Sequence, residues 1–199
     1  MTSVVRWVEV HRLAVAGGEA GIAREVGGRV GGVWLARSRF ADVARLAELT
    51  LTLGEDARAL YQLGWAKDAT GDRTAALAAY DQALRLERAA GDRGNEAATL
   101  NNIGLVYRGL GEWQRALEYY GQALPIRREV GDRAGEAVTR YNVAMILRAR
   151  GELDRAVAEL EQVVELDRQV GHPDLQSDTE MLHQVRQELA SSDPGRGSR

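Results

Sequence analysis

Cysteine is absent from the 199 residues. That excludes disulfides and thiolate metal sites and makes a reducing cytoplasm the expected setting. Proline occurs three times and Phe once, and so few helix breakers suit a chain that is nearly all helix. No apolar run approaches the ~18 residues that span a bilayer, so no membrane partner is expected. The start of the chain carries Arg6 and Glu9 among its valines, which makes a poor secretory signal. A basic excess is missing as well. The formal net charge is −3, which argues against a general nucleic-acid binder. What remains, 45% apolar and 28% charged residues, is the composition of a folded protein.

Catalytic and cofactor signatures are also missing. His11, His172 and His183 are far apart and form no His-x-x-x-His pair, so neither a metal nor a catalytic histidine is expected. The cluster Gly27-Gly28-Arg29-Val30-Gly31-Gly32 fits neither GxxxxGK[ST] nor GxGxxG and follows no strand, so it reads as close helix packing. Glu96 and Glu136 recur at a helix entrance, where a carboxylate opposes the positive end of the helix dipole. They are read as structural rather than as an acid/base pair. No enzyme, cofactor or metal is expected.

What is present is a repeat. NNIGLVYRGLGEWQRALEYYGQALPIRREVGD, from Asn101, is matched forty residues later by YNVAMILRARGELDRAVAELEQVVELDRQVGH and forty earlier by YQLGWAKDATGDRTAALAAYDQALRLERAAGD. Gly71, Gly111 and Gly151 each end one helix, and Asp72, Glu112 and Glu152 start the next. Gly91, Gly131 and Gly171 close each unit. Apolar residues three or four apart give each half-unit one helical face. Small residues at Gly64, Gly104 and Ala144 let two helices approach closely. A hairpin of this kind cannot bury its face alone, so units stack and share a core.

The pattern resembles the tetratricopeptide repeat, carried here by Ile103-Gly104, Tyr107, Ala116, Tyr120 and Ala123. The forty-residue period exceeds the usual thirty-four. This long form is similar to the repeats of kinesin light chains and spindle-orientation adaptors. It is also similar to the repeat regions of actinobacterial NB-ARC/STAND signalling ATPases. The resemblance implies an all-α, right-handed α-solenoid of antiparallel helix hairpins, about ten helices with no β-sheet. The expected layout is one solenoid over 1–190. It has an orphan helix at 4–16, repeats at about 20–54, 57–91, 94–131 and 134–171, and a capping helix at 175–190. Residues 191–199 read as a disordered tail. The orphan helix carries Val4, Val5, Trp7, Val8 and Val10 beside only half a repeat, so self-association through it is expected.

The resemblance also implies a function: protein–protein interaction, with a partner peptide or helix held in the concave groove. A second reading is the sensor or regulatory arm of a STAND-type ATPase or transcription regulator. By register, the groove positions are Arg58, Tyr61, Gln62 and Trp65; then Asn101, Asn102, Leu105 and Arg108; then Tyr141, Asn142, Met145 and Arg148. Gln62, Asn102 and Asn142 form a ladder of amides able to pair with an extended main chain. Alternatively, the asparagines bond to neighbouring helices and stabilise the stack, and Tyr61 and Trp65 are core. The arginines could read acidic residues. Tyr61, Asn101 and Tyr141 occupy the place of the lysine in chaperone-tail carboxylate clamps, which argues against a chaperone C-terminus as ligand.

Overall fold

A computed structural model describes residues 2–192, with side chains from Val4 onward. The described residues form helices and no strand. They belong to two compact units, Met1–Asp92 and Arg93–Arg199. The first holds α1 (Thr2–Ala16), α2 (Ala20–Leu35), α3 (Phe40–Leu51), α4 (Ala57–Ala69) and α5 (Arg73–Ala90). The second holds α6 (Arg93–Gly109), α7 (Trp113–Glu129), α8 (Arg133–Ala149), α9 (Leu153–Val170) and α10 (Leu175–Ser192). Ser191 and Ser192, expected in the tail, extend α10 instead; 193–199 lie outside the described residues.

Within each unit a helix packs chiefly on its sequence neighbours, with α2 also touching α4 and α6 touching α8. The punctuation is chemical. Gly71, Gly91, Gly111, Gly131, Gly151 and Gly171 have φ between +63° and +89°, the left-handed region in which a side chain is penalised. Asp56, Asp72 and Asp132 accept the N–H groups of Ala59, Ala75 and Gly135 at 2.8–3.0 Å, which satisfies orphan donors at the helix starts. The longer Glu112 and Glu152 make no such cap and pair with Arg115 and with Arg150 and Arg155.

The small positions of the hairpins face large side chains. A Cβ on Gly64 would lie 2.7 Å from Cδ1 of Tyr80, and one on Gly104 would lie 2.5 Å from Cε1 of Tyr120. The third hairpin meets the same requirement differently: Ala144 and Leu160 are both fully buried in one core cluster. The glycine cluster of α2 is a seat for four side chains. Gly27 lies under His11 and Thr50, Gly28 under Arg58, and Gly31 under Gln62.

The orphan helix has a partner within its own unit, contrary to expectation for that face. Val4 and Val8 pack on a cluster containing Val26, Val30, Trp34 and Leu46. His11 is buried, and its Nε2 lies 2.8 Å from Oγ1 of Thr50. The Thr50 hydroxyl already donates to the Leu46 carbonyl, so Nε2–H is the donor in this contact. Burial holds the His11 pKa below the usual histidine value. The other side of α1 carries Val5, Val10 and Leu13 in exposed positions.

Candidate functional site

The predicted groove positions fall on α4 in the first unit and on α6 and α8 in the second, and the structure separates them into two kinds. On α4, Trp65 is 42% exposed and Tyr61 is half-buried. The two rings meet edge to face, and Tyr61 also meets Tyr80. Arg58 lies exposed over the backbone of Gly28. Gln62, however, is only 6% exposed, and its Nε2 donates to the Gly28 carbonyl at 2.9 Å. It fastens α4 to α2.

The second unit repeats this distinction. Asn101 and Asn142 are buried, at 5% and 6% exposure. Nδ2 of Asn142 donates to Oδ1 of Asn101 at 3.3 Å, and that oxygen also faces the Thr139 hydroxyl at 3.2 Å. Oδ1 of Asn142 accepts from Arg108 at 3.2 Å. Asn101 Nδ2 reaches toward Oδ1 of the half-buried Asn102 at 3.4 Å. This network stitches α6 to α8. The expectation of a free amide ladder is therefore corrected at Gln62 and Asn142. Buried amides must find partners, and both found them in adjacent helices.

Arg148 is corrected as a groove cation. Its Nε and Nη2 donate to the two carboxylate oxygens of Glu188 on α10, at 3.0 and 2.5 Å. Leu105, Tyr141 and Met145 remain half-buried on the first-helix face, with Val138 exposed beside them at 46%. Glu96 and Glu136, near the entrances of α6 and α8, are buried and paired, Glu96 with Arg93 and Glu136 with Arg128 and Arg140. Burial pushes Glu136 up, but the two guanidinium hydrogen bonds prevail and hold its carboxyl below the usual range.

One feature of this face was missed by the sequence reading. A cavity of about 380 Å³ lies between α8, the end of α9 and the start of α10. Tyr141, Asn142 and Val138 form one wall, and Asp167, His172, Asp174, Ser177 and Asp178 the other. Asp167 is 1% exposed, and among the described residues no N–H or alcohol hydroxyl reaches its Oδ2. Asp178 is pushed up to about 7, by burial first, then by a hydrogen bond to the Asp167 carboxylate that favours its protonated form, then by the charges of Asp167 and Asp174, with His172 opposing. Asp178 lies in the capping helix, outside the repeat, so no register pointed to it. Among the described residues no His, Cys, Asp and Glu cluster has a geometry for a metal ion. No described helix is long and apolar enough to cross a membrane.

Residues 95–169 match a tetratricopeptide-repeat family model, and residues 57–89 match a second. No curated protein matches the sequence. Solved structures share the fold at low identity. BtubC (BKLC) from P. vanneervenii is 15% identical, with a TM-score of 0.67 over 95% of this chain and 93% of that one. MamA is 19% identical, with a TM-score of 0.65 over 82% and 88%. The apo form of RapI is 15% identical, with a TM-score of 0.72 over 86% of this chain but only 50% of that one. The chain thus carries tetratricopeptide repeats, and its fold class is all-α, built from the antiparallel hairpins of tetratricopeptide α-solenoids.

Proposed function

We propose that this chain, as a carrier of tetratricopeptide repeats, is a non-catalytic binding module. It takes an extended peptide of a partner protein along the first-helix face of its second unit. Repeats of this type are protein–protein interaction modules in general. The observation that supports this face is its surface: Leu105, Tyr141 and Met145 are half-buried and Val138 is exposed on neighbouring helices already fixed by the Asn101–Asn142 bond. Aromatic and flexible apolar side chains on a rigid frame give contact area at low entropic cost. Arg108 and the half-buried Asn102 supply the polar edge. On α4, Tyr61, Trp65 and Arg58 offer the same chemistry in the first unit.

The test is to select dodecapeptides from a random library on the full chain, then titrate the best of them against wild type and Leu105→Ser/Met145→Ser. Truncating central apolar anchors costs on the order of 1–2 kcal/mol each, so affinity should drop at least tenfold. Unchanged affinity in a variant that still melts as wild type would place binding elsewhere, and a library that yields no binder would count against a peptide ligand.

Self-association through α1 is proposed separately, from the exposed Val5, Val10 and Leu13 and from Trp7, which is 44% exposed. Sedimentation should show a concentration-dependent dimer that Leu13→Glu abolishes. A chain that stays monomeric at millimolar concentration refutes this contact.

A further inference from the structure

We propose that the cavity between α8, α9 and α10 is a subsite for the cationic end of a lysine or arginine side chain of the bound peptide. This rests on the peptide-binding reading and names the chemistry of one anchor residue.

Three acidic side chains, Asp167, Asp174 and Asp178, line the cavity. The repeat itself does not demand them. Forty residues earlier the positions of Asp167 and Asp178 are held by Arg127 and Val138, and eighty earlier by the buried Glu87 and by Ala98, so Asp178 has no acidic counterpart and Asp167 has one. Arg127 pairs with Asp132 at the start of α8. In the cavity that arginine is replaced by an acid, and no arginine or lysine lines the walls. The only basic side chain there is His172, with Nδ1 3.9 Å from Asp167 and 3.8 Å from Asp174. That same Nδ1 accepts the backbone N–H of Asp174 at 3.3 Å, and at 3.9 Å it lies beyond hydrogen-bond distance of Asp167.

The second observation points to a ligand directly. Asp167 is almost wholly buried in the cavity wall, and no described N–H donates to its Oδ2. Its carboxyl neighbour Asp178 can hydrogen-bond to Asp167 only while protonated, so the ionised pair is left without a donor. A buried carboxylate oxygen without a donor is costly unless something supplies one. An ammonium or guanidinium brings several N–H groups and the opposite charge together. Tyr141 is the flat wall opposite, near enough to Asp178 for its own pKa to be raised by burial and by that carboxylate, with Arg108 and Arg148 opposing. An aromatic face beside carboxylates is suited to a cation. Val138 is exposed at the rim on the same α8 as Met145, with Asp174 and Ser177 exposed across the cavity from it, so a peptide on that face can insert one side chain.

The same groups predict a pH dependence. The groups facing Asp178 are Asp167 from α9, Asp174 and His172 from the connecting loop and Tyr141 from α8. Its folded-state pKa, about 7, is above that of the unfolded chain, near 4. Its protonated form therefore favours the fold. That stability is fully present below pH ~4 and is lost as pH rises through about 7, where the carboxylate forms. A bound cation favours the opposite, ionised state, so affinity for it rises across the same window.

The experiment uses the full chain and two small probes, Nα-acetyl-lysine methylamide and its uncharged counterpart Nα-acetyl-norleucine methylamide, followed by NMR at pH 8. The lysine probe should give saturable shifts at the His172 ring and at the Ser177 and Asp178 amides, and the norleucine probe none. Asp178→Asn and Asp174→Asn should each weaken the lysine probe about tenfold. Asp178→Asn should at the same time melt higher than wild type at pH 8, by a margin that shrinks steadily as pH falls toward ~4, which separates loss of the site from loss of the fold. Equal response to both probes, no saturable shift, or unaltered affinity in both Asn variants overturns the subsite.

The selected dodecapeptides then discriminate the two readings. Peptides that need Leu105 and Met145, contain no basic residue and ignore Asp178→Asn would sink the subsite and leave the peptide face standing. A lysine probe that binds as described to a chain for which no peptide can be selected would retain the subsite and sink the peptide reading.

Discussion

Gly104→Leu should destabilise the second unit by several kcal/mol, enough to lower its melting temperature by roughly 10 °C or to prevent folding. The cause is a single contact. Gly104 is buried in α6, and a side chain there begins 2.5 Å from Cε1 of Tyr120, itself fully buried in α7. Its backbone is ordinary helix, so the penalty is steric and not conformational. Leucine would otherwise gain up to ~1 kcal/mol in helix propensity. The third hairpin shows how the conflict is relieved. At the equivalent places it has Ala144 and Leu160, both buried in one cluster. Gly104→Ala should therefore destabilise alone and regain most of the loss when combined with Tyr120→Leu. A double-mutant cycle read by thermal melts checks this. Additive effects, with no rescue, would mean that Tyr120 is not what limits the size of residue 104. Tyr120→Phe is a useful control. The Tyr120 hydroxyl is buried without a partner, and burial drives its pKa upward, so removing the oxygen should leave stability unchanged or raised.

The second large effect is at Asn142. Asn142→Ala removes the acceptor for Arg108 and a donor to Asn101 in the middle of the α6–α8 contact. Leaving buried polar groups unpaired costs about 1–3 kcal/mol, which corresponds to several degrees of melting temperature in a protein of this size. Asn102→Ala, at a half-buried position on the face, should cost far less. A pair of melts separates the two. Equal small losses would return Asn142 to the exposed face and undo the network. The outcome matters for function as well, because a peptide-binding deficit in the Asn142 variant must be corrected for lost fold before it is read as a lost contact.

The two asparagines also show how far sequence register reaches. Asn102 and Asn142 hold the same place in successive repeats, and helical periodicity assigns them one direction. It does not say what lies in that direction. Asn101 precedes Asn102 where the next repeat has Tyr141, and Asn142 turns to the Asn101 amide. Register served well where the determinant is local: the glycines that need positive φ, the small residues opposite large ones, the aspartates that cap. It also read the α2 glycines as close packing, although four different partners, His11, Thr50, Arg58 and Gln62, use the space. It failed where the partner comes from outside the repeat. Glu188 and Asp178 belong to α10, a terminal helix whose acids have no acidic counterpart at Arg148 and Val138 forty residues earlier, and they decide the fate of Arg148 and of the acidic cavity. The buried His11–Thr50 bond, thirty-nine residues apart, had no sequence signal at all.

The habit of each helix to pack on its immediate neighbours in the chain has a consequence during synthesis. Contacts close in sequence need little loop closure, and chains dominated by them fold fast. A hairpin such as α6 with α7 is complete about forty residues after it begins, so it can form while α8 to α10 are still being translated. Growth from the ribosome at ~5–20 residues per second is slow beside helix formation and collapse. Within a unit, each new helix then meets a surface already ordered by the one before it, and little apolar surface is left waiting for a distant partner. Some polar contacts do wait: His11 for Thr50 across the whole of α2 and most of α3, and Asn101 for Asn142 across all of α7.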